Sequence, residues 1–145
     1  PTLVGKGMAA ASLGAGVTDA QRDFVLGFLA ATGKVIEVSE DLQDAVTATS
    51  GSGPAYFFAF VEAMVAGAQE LGLSEKDATT LTVQTLLGAA TLLEESGKSA
   101  TTLRENVTSP NGTTAAALAS FGSDNLNSMV AKAMKAARDR SQELA

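Results

Sequence analysis

Two short stretches of this 145-residue chain carry residue types that can do chemistry at a helix entrance. One is Ser50-Gly-Ser-Gly-Pro-Ala-Tyr56, the other Thr108-Ser-Pro-Asn-Gly-Thr-Thr114. Each stands directly before a segment with helical periodicity. The first turn of a helix presents unpaired N–H groups and roughly half a positive charge, and together these attract a carboxylate or a phosphate. In the second stretch Pro110 stiffens the turn, and Asn111-Gly112 permits positive φ. Gly112 also lets a ligand come close to the backbone. Ser109, Thr113 and Thr114 add hydroxyl donors without adding charge. The set could hold a small carboxylate without lysine or arginine. The bland alternative is a capped turn joining two helices.

Other chemistries are mostly closed. The chain has no histidine and no cysteine, so it lacks the commonest general base, the commonest zinc ligand, the thiolate nucleophile and any disulfide. Glu94-Glu95 and Glu40-Asp41 are adjacent on their helices, point apart and read as solvated. No acidic cluster has metal-ligand spacing, so no metal site is expected. Gly5-Lys-Gly7 and Gly14-Ala-Gly16 are lone fragments without the GxGxxG pattern of a nucleotide loop. A net charge of −6 speaks against nucleic acid. The one basic cluster, Lys132, Lys135, Arg138 and Arg140, reads as a solvated helix end that complements the helix dipole. Every apolar run is interrupted before it could span a membrane, and no signal peptide opens the chain, so a cytoplasmic location is the expectation. Two glycosylation sequons, at Asn106 and Asn111, are discounted for the same reason. The first residue is proline, not methionine, from which we expect that the natural start lies upstream.

The elements that must position these stretches can be read from periodicity and punctuation. A weak strand is expected around Met8 to Leu13. A helix should come next from Thr18, with Gln21 completing a capping box, Phe24, Val25, Phe28 and Leu29 as its apolar stripe and Gly33 as its stop. Lys34 to Val38 is β-branched and reads as a second strand. Two short strands do not make a stable sheet. Residues 1–39 are therefore expected to be the strand–helix–strand edge of a sheet domain lying upstream; a small two-stranded ribbon is the competing reading. Residues 40–145 should be all helical: Asp41 to Thr49, Pro54 to about Leu71, Ser74 to Gly97, Ser99 to Val107, Thr113 to Phe121 and Asp124 to Glu143.

Two of these helices lack a polar face. Pro54 to Leu71 holds four of the seven aromatic residues and only two charges, Glu62 and Glu70. Leu81 to Leu93 has only threonine, glutamine and small residues between its leucines and valine. A surface helix of a monomer keeps a polar side. About a hundred residues can hardly cover both helices all round, so a second subunit is the expected cover. The alternative is that both helices lie at the centre of a monomeric bundle.

A resemblance sharpens the reading. Leu103-Arg-Glu-Asn-Val-Thr-Ser-Pro-Asn-Gly-Thr-Thr-Ala-Ala-Ala-Leu118 resembles the signature of the pyrroline-5-carboxylate reductases. The stretch Asp44 to Met64 resembles that family's other hallmark segment. Pro1 to Gly7 resembles the end of its cofactor-side Asn-Thr-Pro turn and the residues just after it, with Pro1 as the proline of that turn. The likeness spans essentially the whole chain. It implies a mainly α fold: a helical bundle interlocking as a homodimer, preceded by two strands and a helix of a Rossmann domain whose glycine-rich fingerprint is not among these residues. It implies an enzyme that reduces the C=N bond of 1-pyrroline-5-carboxylate with NADPH or NADH to give proline, with this stretch alone inactive. Carried over, Ser109, Gly112 and Thr113 would cradle the substrate carboxylate, and Asn106 would brace the loop. Thr114 would lie near the imine nitrogen, to orient it or donate a proton. Ser52 and Pro54 would line the pocket by the nicotinamide. Asn111 stands where glycine is frequent in the family, and Gly97 replaces a polar residue often seen near the site. The rival reading is a stand-alone helical dimerisation module. The resemblance leaves open the choice of cofactor and whether dimers build into rings.

Overall fold

The structure, a computed structural model, describes residues 1–144 and is mainly α-helical. The expected helical domain, 40–145, ends one residue beyond the described ones. The chain divides into two units, Pro1–Tyr56 with the stretch from Ala131 onward, and Phe57–Val130.

In the first unit strand β1 (Gly7–Ala11) pairs in parallel with β2 (Gly33–Glu37), and helix α1 (Asp19–Ala30) connects them. The register sets Gly7 opposite Gly33 and Ala11 opposite Glu37. Helix α1 starts as expected. The Thr18 hydroxyl accepts from the Gln21 amide at 3.3 Å, and the Thr18 amide donates to Gln21 Oε1 at 2.9 Å. Its stop differs from the expectation. The helix ends at Ala30, where the Thr32 amide and hydroxyl both donate to the Leu29 carbonyl, at 3.1 and 2.9 Å. Gly33 instead opens β2 with φ of 154°, and a Cβ there would lie 2.0 Å from the Gly7 carbonyl oxygen. Only glycine fits where two backbones run this close. The Arg22 guanidinium grips both carboxylate oxygens of Glu37, Nε at 3.0 Å from Oε2. Gln43 donates to the Ser12 hydroxyl at 2.6 Å, tying the loop after β1 to the helical stretch beyond β2.

After β2 the chain is helical almost without a break. A 3-10 turn (Glu40–Leu42) leads into α2 (Gln43–Val46), a π turn (Thr47–Gly51), and then α3 (Gly53–Glu70). Further on come α4 (Glu75–Glu95), α5 (Ala100–Asn106), α6 (Thr113–Ser123) and α7 (Leu126–Leu144). Ser74 caps α4 by accepting from the Asp77 amide at 3.1 Å, and Ser99 caps α5 by accepting from the Thr102 amide at 3.1 Å. Gly72 and Gly97 take the left-handed conformation that ends α3 and α4. Asn125, with φ of 56°, makes the turn between α6 and α7, at a point the residue pattern assigned to the start of the last helix. Within the basic cluster on α7, Lys135 and Arg138 both reach Asp139, and Arg140 reaches Glu143.

Very little of this is covered. Among the described residues the only buried side chains other than glycine are Ala48, Ala78 and Thr82, and no large side chain is fully buried. Phe57, Phe58 and Leu87 are 60%, 63% and 58% exposed. Total accessible surface is 10662 Å², against about 6,900 Å² for a compact monomer of this mass and about 8,300 Å² for two separate halves of it. The reading of α3 and α4 as central helices of a monomeric bundle fails on this exposure. In the second unit the Phe60 and Phe121 rings approach at 6.3 Å between centroids.

Candidate functional site

Helix α6 begins differently from its neighbours. Helices α1, α4 and α5 each receive a hydroxyl cap from Thr18, Ser74 or Ser99. The N-cap of α6 is Gly112, and no side chain caps it. The Ala116 amide closes the first helical bond on the Gly112 carbonyl at 3.1 Å, and no capping group takes the amides of Thr113, Thr114 and Ala115. Three donors at the positive end of an eleven-residue helix are thus turned outward.

The turn that delivers the chain to this point is Ser109-Pro110-Asn111-Gly112. The Gly112 amide donates to the Ser109 carbonyl at 3.1 Å, closing a β-turn. Asn111, its third residue, has φ of 59°. Positive φ there with proline at the second position marks a type II turn, and Asn is one of the few side chains that tolerates it. Gly112 does not share the positive φ; it is extended, at φ −81° and ψ 174°. Its lack of a side chain matters for another reason. A Cβ at 112 would lie 2.5 Å from the Ser109 hydroxyl oxygen and 3.2 Å from the Ser109 carbonyl oxygen. The Ser109 hydroxyl therefore sits beside the open N-terminus, in space that any other residue at 112 would claim.

Ser109, Gly112, Thr113 and Thr114 are brought together by this one turn. Asn106 is the last residue of α5, exposed, and its side chain bonds to nothing in the loop among the described residues. The tie is made instead by Thr108, to which the sequence analysis gave no role. Its hydroxyl donates to the Arg104 carbonyl at 2.6 Å, and its amide to that of Glu105 at 3.0 Å. A threonine two residues past a helix end, four residues after a last-turn carbonyl, was the signal for it. Thr108 also lines a cavity of about 670 Å³ with Arg104, Phe121 and Asn125, but none of the four loop residues borders that cavity.

The other glycine–proline stretch is not a loop, and its expected free helix N-terminus does not exist. The Ser52 amide donates to the Thr47 carbonyl at 2.8 Å, the five-residue reach of a π turn, so helical bonding runs on through Ser50-Gly-Ser-Gly. Hydroxyl groups explain the widened turn. Thr49 and Ser50 donate to the carbonyls of Ala45 and Val46, four residues back, at 2.7 and 3.2 Å. Tyr56 then reaches back from α3 to the buried Ala48, its hydroxyl donating to the carbonyl at 3.1 Å. Ser52 and Pro54 are half-buried and Gly53 is buried, with nothing within 4 Å of where its Cβ would be.

At the strand-to-helix turn after β1, the Thr18–Gln21 box already occupies the entrance of α1. That capped entrance does not fit a pyrophosphate.

The described chain is mainly helical, with exposed apolar helices, an uncapped α6 and a strand–helix–strand lead. A family model described as pyrroline-5-carboxylate reductase dimerisation matches residues 40–144, and the chain belongs to that family. The pyrroline-5-carboxylate reductase of Haemophilus influenzae is 44% identical over 146 aligned positions, covering 99% of this chain and 54% of the relative. That of Arabidopsis thaliana is 40% identical, covering 99% and 52%. Among solved structures, a Coxiella burnetii pyrroline-5-carboxylate reductase superposes with a TM-score of 0.95 at 40% identity, covering 98% of this chain and 53% of that one. A Plasmodium falciparum pyrroline carboxylate reductase solved with NADP bound gives 0.90 at 30% identity, covering 99% and 58%. The chain spans about half the length of the curated relatives it matches. No described helix is long and apolar enough to cross a membrane.

Proposed function

We propose that this chain is the dimer-forming, substrate-binding part of a pyrroline-5-carboxylate reductase, acting in proline biosynthesis. Residues 1–39 are the last strand–helix–strand of a nucleotide-binding domain, and residues 40–145 the helical domain. The observation that carries the substrate assignment is the uncapped entrance of α6 beside the Ser109 hydroxyl. A carboxylate there completes the hydrogen bonding that no side chain supplies. The amides of Thr113, Thr114 and Ala115 and the hydroxyls of Ser109 and Thr113 take its two oxygens. With the carboxylate fixed, the ring nitrogen of the cyclic imine comes to Thr114, whose hydroxyl orients it or passes it a proton. NAD(P)H, held by residues outside those described, supplies the hydride, and Ser52 and Pro54 border its nicotinamide end.

The partner is a second copy of the chain. The large apolar side chains left exposed on α3 and α4 support an interface of the apolar, obligate kind. Families fold this way when each protomer supplies half of a common core.

Titration with proline, monitored by amide chemical shifts, tests the substrate reading. The amides of Thr113, Thr114 and Ala115 should shift together and saturate, while those of the capped α4 entrance stay still. Proline that leaves α6 untouched refutes it. Restoring the nucleotide-binding domain separates the enzyme from a stand-alone dimerisation module: the enzyme regains imine reduction, and the module remains inert.

A further inference from the structure

Two asparagines of this chain hold a positive φ, and one of them is set for chemistry of its own. Asn111 is exposed, its carboxamide has no hydrogen-bond partner among the described residues, and the next residue is glycine. The Gly112 nitrogen, with no side chain to shield it, is held only by the 3.1 Å bond to the Ser109 carbonyl. We propose that Asn111–Gly112 is a self-modifying site, where loss of the Asn111 amide places a carboxylate at the mouth of the α6 anion cradle and disables it. The consequence for activity rests on the function proposed above; the modification itself does not.

The chemistry needs only water. When the turn opens, the Gly112 backbone nitrogen loses its proton to hydroxide and attacks Asn111 Cγ. A C–N bond forms, the Cγ–Nδ2 bond breaks, and the leaving nitrogen takes up a proton and departs as ammonia. Water then opens the resulting succinimide at either carbonyl, leaving aspartate or isoaspartate at position 111. No electrons are exchanged. Glycine favours the ring closure because nothing on its Cα blocks the approach. The new negative charge falls just before the N-cap of α6, where helix amides favour an anion, so it competes for the donors a substrate carboxylate needs.

Asn125 is the built-in comparison. It has nearly the same φ, 56° against 59°, and is exposed as well, but its next residue is Leu126. Asn127 is exposed and precedes Ser128. Digestion after Arg104 and Lys132 puts Asn106, Asn111, Asn125 and Asn127 on one peptide. The purified protein, aged at mildly alkaline pH and mapped by fragmentation mass spectrometry, should lose the Asn111 amide several-fold faster than those of Asn125 and Asn127, with isoaspartate as the major product. Equal rates at the three positions overturn the proposal. Saturating proline should slow the loss at Asn111 and leave the other two unchanged. Loss at Asn111 that ignores proline keeps the modification and overturns the carboxylate cradle. In the complete enzyme, Asn111→Asp should raise KM for the imino acid several-fold with little change in kcat. An unchanged KM overturns the disabling effect.

Discussion

Ser109 and Gly112 compete for the same space, and the loop works only because one of them has no side chain. Gly112→Ala keeps an allowed backbone, at φ −81°, so its cost comes from the contact. We expect a loss of about 1–2 kcal/mol. Ser109→Gly in the same chain should recover most of it, and urea unfolding of the single and double variants measures the coupling. Strictly additive losses would show that the contact is not the cause. On the role proposed for Thr114, Thr114→Ala should lower turnover of the complete enzyme well beyond any change in stability, and unchanged steady-state kinetics would remove Thr114 from the reaction. Positive φ at Asn111-Gly112 was legible from the pair of residue types, but not which of the two would take it. The turn decides that, because proline at its second position puts Asn111 third. The need for glycine at 112 could not be read at all, since it arises from a side chain three residues back.

Helix boundaries were legible wherever a side chain announces them. Thr18 caps the helix it was expected to cap, and Ser74 and Ser99 cap the helices that were read as starting at them. The π turn was not, because glycine and proline usually signal a break, while here backward-bonding hydroxyls at Thr49 and Ser50 carry the helix through. Tyr56→Phe tests what holds this bend. The Ala48 carbonyl loses its side-chain donor, and we expect destabilisation of about 0.5–1.5 kcal/mol by thermal or urea unfolding. The clamp between α1 and β2 gives a pH signature. The hydrogen bond from Arg22, aided by its charge, holds the Glu37 carboxyl below its ordinary value of 4.5. A carboxyl lowered on folding stabilises the fold fully above that ordinary value, and the stabilisation is lost as pH falls through the lowered one. Glu37→Gln should therefore lower the urea midpoint at neutral pH and converge on the parent as pH falls below the lowered value, within the limits that solvent exposure sets on a surface pair. A difference that persists in acid would assign the effect to packing.

At the scale of the molecule, the apolar circumference of α3 and α4 was readable from residue types alone. Its consequence, a chain with almost no core of its own, comes from adding those faces up. What residue types could not give is which faces meet, since under the proposed dimer one chain holds only half of each contact. Sedimentation at micromolar concentration should find dimers, and a well-folded monomer would defeat the assignment of a partner. Independently, the melting temperature should climb as protein concentration is raised, because association and folding are linked. The exposure of Phe57, Phe58 and Leu87 has a further result for how the chain reaches its final state. If a second copy covers these side chains as proposed, the closing step of assembly is an encounter of two chains, and its speed should rise with the number of finished neighbours at hand.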